Sequence, residues 1–258
     1  VQIPPSFGGL GARSAYIDAE GSFIAQRCLE MAEGLVRFLR AAASTAQQRA
    51  DADALQARAM LERIVVYRVH DHVEQLAAIR AVGDLPREEA EAARVASVLG
   101  GHGFLSAADG RSLAGGDSEQ AALPPVKLVV VDSIAFHLRH VDVSYASRQA
   151  MAGKMAQALC SLAGRGTDGT GLACVVINQV TTKVNDAVGT SSLVPALGET
   201  WAHVCNVQLI LSWRDGMRVA TLYKGGTPGE AVYVVTGEGI RSRDAPVPQP
   251  RGLQQQQQ

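Results

Sequence analysis

Three places in the sequence set polar residues directly after apolar runs. "YIDAEGSF" (16–23) carries Asp18 and Glu20 ahead of Gly21. "KLVVVDSIAF" (127–136) ends an apolar run on Asp132, with the small Ser133 next. "LACVVINQV" (172–180) ends one on Asn178 and Gln179. A carboxylate at the carboxyl end of a buried strand can hold the water shell of a magnesium ion beside phosphates. A second carboxylate can orient or deprotonate a water molecule, and a nearby amide can sense a bound ligand. Each pattern alone has a plainer use. An acid after a strand forms turns, and paired acids cap helices. Three such strand ends on neighbouring strands would converge on one crevice, because ligands of open parallel sheets sit beyond the carboxyl ends.

The elements that would position these residues are legible in outline. "IVVYRVH" (64–70), "VKLVVVD" (126–132), "LACVVINQ" (172–179) and "VQLILSW" (207–213) have the continuous apolar character of strands buried in a sheet. The spacing of Leu29, Ala32, Val36 and Leu39 predicts one long helix from Ser22 to about Arg49, and residues 71–82 and 145–163 predict two more. Strands alternating with helices imply an α/β fold with a mainly parallel central sheet covered on both faces. "RVATLYK" (218–224) and "AVYVV" (231–235), joined by "GGTPGE", predict a C-terminal antiparallel hairpin. Residues 83–125 read as a surface insertion with a helix over 86–99, and residues 245–258, ending in five glutamines, as a disordered Pro/Gln-rich tail.

Bulk properties narrow the class. The chain has 258 residues, 47% hydrophobic and 19% charged, with a net charge of −1. That excludes a large basic nucleic-acid surface and leaves room for a local one. No apolar run approaches the ~18 residues of a membrane span. Cys28, Cys160, Cys174 and Cys205 lie far apart, which argues against a zinc site and for buried, reduced thiols. His70, Asp71 and His72 are adjacent, but Asp71 suits a helix N-cap better than a metal cluster does. Trp201 and Trp213 read as packing residues.

In order along the chain, "YIDAEGSF", "KLVVVDSIAF" and "VVINQVTTKV" resemble three motifs of the RecA-like recombinases of the Rad51 group. "VQIP" (1–4), "LVPALGETWAH" (193–203) and "ATLYK" (220–224) are similar to a paralogue branch of that family. The likeness covers residues 1–82 and 126–243. It implies a RecA-like ATPase core and gives the motif residues roles. Glu20 would activate the water that attacks the γ-phosphate of ATP. Asp132 would hold Mg2+ through water, and Gln179 would contact the γ-phosphate and report it to the loop that follows. Residues 139–148 would form a first DNA loop, with Arg139, His140 and Arg148 as phosphate contacts. Residues 180–195 would form a second, with Lys183. Tyr223 to Pro228 would lie near the nucleotide of a neighbouring subunit. The implied partners are single-stranded or branched DNA and other recombinase paralogues, the implied place is the nucleus, with the cytoplasm or mitochondrion as alternatives, and the implied process is homologous recombination repair.

One departure limits that reading. The family binds ATP with a G-x-x-x-x-G-K-[ST] loop, whose N–H groups and Lys cradle the phosphates. No such loop occurs here; Gly153–Lys154 is followed by Met155 and has Arg148 where the first Gly belongs. The resemblance places that loop upstream of Val1. The expectation is therefore a chain without the first strand and phosphate loop, with half a nucleotide site and apolar surface exposed. A non-catalytic scaffold subunit, or a truncated inactive product, is the alternative.

Overall fold

The computed structural model describes residues 1–84, 124–164, 171–185 and 190–243. Two compact units divide the chain at residue 204. The first is built on a four-stranded sheet of β1 (Arg13–Asp18), β2 (Ile64–Arg68), β3 (Val126–Asp132) and β4 (Ala173–Ile177), in the order β2-β1-β3-β4. All three pairings are parallel. The helices are α1 (Ala25–Ala42), α2 (Ala46–Ala54), α3 (Ala57–Glu62), α4 (His72–Asp84), α5 (Phe136–His140), α6 (Tyr145–Gly164) and α7 (Gly198–Val204). A hairpin of β5 (Val180–Asn185) and β6 (Thr190–Pro195) stands apart from the main sheet. The parallel α/β architecture expected from the alternating pattern is thus present.

Register explains which residues make the core. Val65, Ala15 and Val129 lie in one row across β2, β1 and β3, and Tyr67, Ile17 and Val131 in the next. Of these, Ala15, Ile17, Val129 and Val131 are fully buried. Each fully buried Val or Ile side chain among them contributes about 1.5–3 kcal/mol, and Ala15 less. The other face is only partly covered. Tyr16 and Val130 are half-buried, and on the edge strand β4 Val175 and Ile177 are 50% and 43% exposed. Helix α6 buries Ala152, Met155, Ala156, Leu159 and Leu162, the three-and-four spacing of one helix face.

The single helix expected over 22–49 is two helices. Helix α1 starts at Ala25 and ends at Ala42, and Thr45 then caps α2. The Thr45 hydroxyl accepts from the Gln48 N–H at 3.1 Å, while the Gln48 side chain accepts from the Thr45 N–H at 3.2 Å. This capping box gives two N–H groups of the first turn a partner and starts a second helix. Thr45→Ala is expected to cost about 1 kcal/mol, read as a lower midpoint in urea unfolding with unchanged slope. The helix over 71–82 is present as α4. Asp71 caps it, its Oδ1 accepting from the N–H groups of Val73 and Glu74 at 2.8 and 2.7 Å. Those bonds hold the Asp71 carboxyl below its usual range, the Glu74 bond foremost. The helix expected over 86–99 and the tail lie outside the described residues.

The second unit is an antiparallel sheet of β7 (Gln208–Arg214), β8 (Met217–Lys224), β9 (Glu230–Thr236) and β10 (Gly239–Ser242), in the order β10-β9-β8-β7. The expected β8–β9 hairpin is there, extended on each side by a strand. Trp201 is a packing residue, 6% exposed, but Trp213 is not. It is 65% exposed, with the Arg218 guanidinium 4.4 Å from its ring. The cysteines are free, and none is fully buried; Cys160 is exposed. Burial pushes the Cys174 thiol up to about 11. Among the described residues no helix is long and apolar enough to cross a membrane.

Candidate functional site

The carboxyl ends of the four parallel strands form one row: Arg68, Asp18, Asp132 and Ile177 are register partners in turn. Side chains at these positions, and the turns that follow them, emerge at the same edge of the sheet. The pairing continues one residue further: the Ala19 N–H donates to the Asp132 carbonyl at 2.7 Å, and the Ile134 N–H to the Ile177 carbonyl at 3.0 Å. Glu20, Ser133, Asn178 and Gln179 are therefore brought together by strand register, although more than 100 residues separate Glu20 from the others.

Glu20 stands at the centre of a hydrogen-bond chain. Its Oε1 accepts from the Ser133 hydroxyl at 2.7 Å and from the Gln179 amide at 2.9 Å. Its Oε2 carries no hydrogen bond among the described residues. One oxygen is thus anchored by two donors while the other is open to solvent, the arrangement a carboxylate needs to accept a proton from an incoming water. The Arg139 guanidinium donates to the Gln179 carbonyl oxygen and, at 3.4 Å, to the Val180 carbonyl. With the amide oxygen held by Arg139, its NH2 faces Glu20.

Asp132 has a different setting. Its Oδ2 accepts from the Tyr16 hydroxyl at 2.5 Å and, more weakly, from the Ser22 hydroxyl at 3.4 Å. Its Oδ1 carries no hydrogen bond among the described residues. Burial, then the Asp132 carboxylate, pushes the Tyr16 phenol above its ordinary range, so Tyr16 remains a donor at neutral pH.

The other acid of the opening motif does not face the crevice freely. Asp18 is 4% exposed. Its Oδ1 accepts from the N–H groups of Gly21 and Ser22 at 2.7 and 3.1 Å, its Oδ2 from that of Phe23 at 3.4 Å. Arg68 pairs with it at 3.2 Å. Asp18 therefore shapes the turn that presents Glu20 and Ser22. Gly21 sits in that turn at φ 75, and a Cβ there would lie 2.4 Å from the Arg68 guanidinium. Any other residue would strain the backbone and displace Arg68 from Asp18. Ser22, expected to open the helix, is a site residue instead; α1 begins three positions later, without a side-chain cap.

The remaining candidates are more dispersed. Residues 139–148 are not one loop but the end of α5, a short link and the first turn of α6. Arg139 reaches Gln179. His140 ends α5, and its side chain lies outside the described residues. Arg148 is half-buried in α6, with its Nε buried and without a hydrogen-bond partner among the described residues. Residues 180–195 are the β5–β6 hairpin, with residues 186–189 outside the described set. In it Lys183 pairs with Ser192, and nothing is described of the Lys183 side chain. The hairpin's base is pinned by Asn178, whose amide donates to the Ala196 carbonyl at 2.8 Å, and by the Ala196 N–H, which donates to the Gln179 carbonyl at 2.8 Å. Tyr223, 66% exposed on β8, and Pro228, between β8 and β9, belong to the second unit. Beneath the site, Gln75 of α4 is fully buried and donates to the Ser133 carbonyl at 3.1 Å, and His137 of α5 bonds the Val69 carbonyl at 3.2 Å. Desolvation lowers the His137 pKa.

Hard oxygen donors suit magnesium, and Asp132 keeps one oxygen available for its water shell. Glu20, Asp132 and Gln179 thus fit the hydrolytic half of a nucleotide site. Among the described residues no glycine-rich loop opening a helix supplies the N–H row that would cradle phosphates.

A parallel α/β sheet with an acid ending one strand, a second acid in the turn after its neighbour and an amide after the third defines a RecA-like domain. Residues 111–243 match the Rad51 family, and the chain belongs to it. It is 30% identical over 246 residues to the DNA repair protein RAD51 homolog 3 of Cricetulus griseus, covering 93% of this chain and 56% of that one. It is 32% identical over 224 residues to the RAD51 homolog 3 of Dictyostelium discoideum, covering 86% and 48%. The DNA repair and recombination protein RadA of Metallosphaera sedula is 26% identical over 250 residues, covering 95% and 60%. The chain spans about half the length of the curated relatives it matches.

Proposed function

We propose that this chain belongs to an ATP-dependent, DNA-binding recombinase paralogue and carries the hydrolytic half of its nucleotide site. It acts in homologous recombination repair in the nucleus, in complexes with other recombinase paralogues. The observation that carries this reading is the convergence of Glu20, Asp132 and Gln179 at the carboxyl end of one parallel sheet. Mg2+ supplies charge neutralisation on the ATP phosphates when bound, with Asp132 holding its water shell. Glu20 takes a proton from the attacking water at its open Oε2. Gln179 joins the site to the β5–β6 hairpin, whose base it shares with Ala196. The names of the relatives support the repair setting. Single-stranded or branched DNA then lies over Arg139, His140, Arg148 and Lys183.

The test is salt-dependent DNA binding by the full-length protein. Removing one phosphate contact reduces the slope of log affinity against log salt by about 0.7 for single strands. Arg139→Ala with His140→Ala is expected to weaken binding and flatten that slope by about 1–2. Binding that is unchanged at every salt concentration would remove these residues from the DNA surface.

A scaffold reading has two observations in its favour: Arg139 is already engaged by Gln179 and Val180, and the net charge is −1. Repair in cells that survives both Glu20→Gln and Asp132→Asn would select it.

A further inference from the structure

We propose that Tyr16 is a positioning residue for the metal-shell acid: its hydroxyl fixes the Asp132 carboxylate so that Oδ1 is turned toward a hydrated divalent cation. The proposal rests on the assignment of Asp132 above and goes beyond it by naming what orients that group.

The geometry follows from register. Tyr16 pairs with Val130, and Asp18 with Asp132, so Tyr16 and Asp132 lie on the same sheet face, two residues apart along the strand direction. A diagonal neighbour at that separation is within reach of a long aromatic side chain and out of reach of a short one. The ring is seated against Phe23, with centroids 5.1 Å apart, a contact that favours this orientation. From that seat the hydroxyl donates to Oδ2 at 2.5 Å. Charge-assisted O–H···O bonds of this length are stronger than neutral ones. Ser22 is aimed at the same oxygen from 3.4 Å. Both donors converge on Oδ2 and none on Oδ1, which divides the carboxylate into an anchored oxygen and an available one. Carboxylates that ligate a metal directly lose about 10–100-fold in metal affinity when such an outer donor is removed, and one that acts through water falls at the low end of that range.

The discriminating substitution is Tyr16→Phe, which keeps the ring and its packing on Phe23 and removes only the donor. The full-length protein is saturated with a non-hydrolysable ATP analogue and titrated with Mn2+, and free Mn2+ is read by electron paramagnetic resonance. Tyr16→Phe is expected to weaken Mn2+ binding about tenfold or more, with the thermal midpoint little changed. A purely structural role would move the midpoint and leave the metal affinity alone. If Tyr16→Phe binds Mn2+ like the unsubstituted protein while Asp132→Asn does not, the positioning role falls and the Asp132 assignment stands. If Asp132→Asn also binds normally, that assignment falls and takes this proposal with it. Should Tyr16→Phe fail to fold, the unsubstituted protein labelled with 13C at tyrosine Cζ answers the same question. The Tyr16 signal shifts when Mg2+ and ATP are added, and a signal that does not move overturns the proposal.

Discussion

Glu20→Gln is expected to reduce single-turnover ATP hydrolysis by the full-length protein by about 10²–10⁴-fold, the range for removing a positioned general base. Nucleotide affinity should stay within about twofold, because uniform binding does not pass through the missing proton acceptor. The substitution is informative because of what it preserves. A glutamine carbonyl oxygen can accept the same two bonds that Oε1 accepts now, from Ser133 at 2.7 Å and Gln179 at 2.9 Å. Only the free Oε2 is replaced, by an NH2 that cannot take a proton. Architecture and chemistry are thus separated within one side chain. Gln179→Ala makes the complementary cut: it removes one anchor of Oε1 and the bond with Arg139 and leaves the carboxylate. A smaller loss is expected there, together with weaker stimulation by DNA. Hydrolysis by Glu20→Gln within about twofold of the unsubstituted protein would show that Glu20 is not the base, and the scaffold reading would gain accordingly.

Much of this site is legible in the order of the amino acids. Apolar runs ending on Asp132 and on Asn178–Gln179 announce parallel strands with polar residues beyond their ends, although β4, at the sheet edge, is not the buried strand its composition suggests. The same logic locates Glu20. What composition does not supply is register. Tyr16 reads as one more residue of a half-buried strand, and only the pairing of Asp18 with Asp132 aims its hydroxyl at that carboxylate. Ser133 looks like a small residue after a strand and Ser22 like the start of a helix, and both prove to be donors in the site. The long helix expected over 22–49 divides because the large apolar residues at helical spacing stop at Leu39, and the capping box at Thr45 is a local polar signal that starts a second helix. Residues 180–195 lack strong apolar alternation, so a loop is the natural expectation. Pairing with each other, rather than with a core, makes them strands. Trp213 illustrates the opposite limit. A tryptophan alternating with Leu209 and Leu211 reads as core, yet these side chains are 65%, 60% and 62% exposed on β7.

The largest effect on stability in the site region is expected from Asp18→Ala. Asp18 is the only one of the three acids that is nearly fully buried, at 4% exposure. Three backbone N–H groups, of Gly21, Ser22 and Phe23, depend on its carboxylate. Removing it leaves partly buried donors without partners, at about 1–3 kcal/mol for a fully buried group and less for a partly wet one. A total near 2–4 kcal/mol is expected, or roughly 4–16 °C in midpoint at about 2–4 °C per kcal/mol for a chain of this size. The Arg68 partner adds less. Its side chain is 45% exposed and can return to water, so the ion pair at 3.2 Å is discounted toward the surface range of about 0–1 kcal/mol. These two contributions can be told apart with Asp18→Asn. The asparagine oxygen keeps an acceptor for the Gly21 and Ser22 N–H groups and gives up the charge. Asp18→Asn should therefore cost about 1 kcal/mol, well below Asp18→Ala. Loosening the turn also unseats Glu20 and Ser22, so Asp18→Ala should lose hydrolysis even at temperatures where it remains folded. Calorimetric melting of the two variants decides the matter. If Asp18→Asn falls as far as Asp18→Ala, the charge pair with Arg68 dominates, and the turn is not what Asp18 chiefly supports.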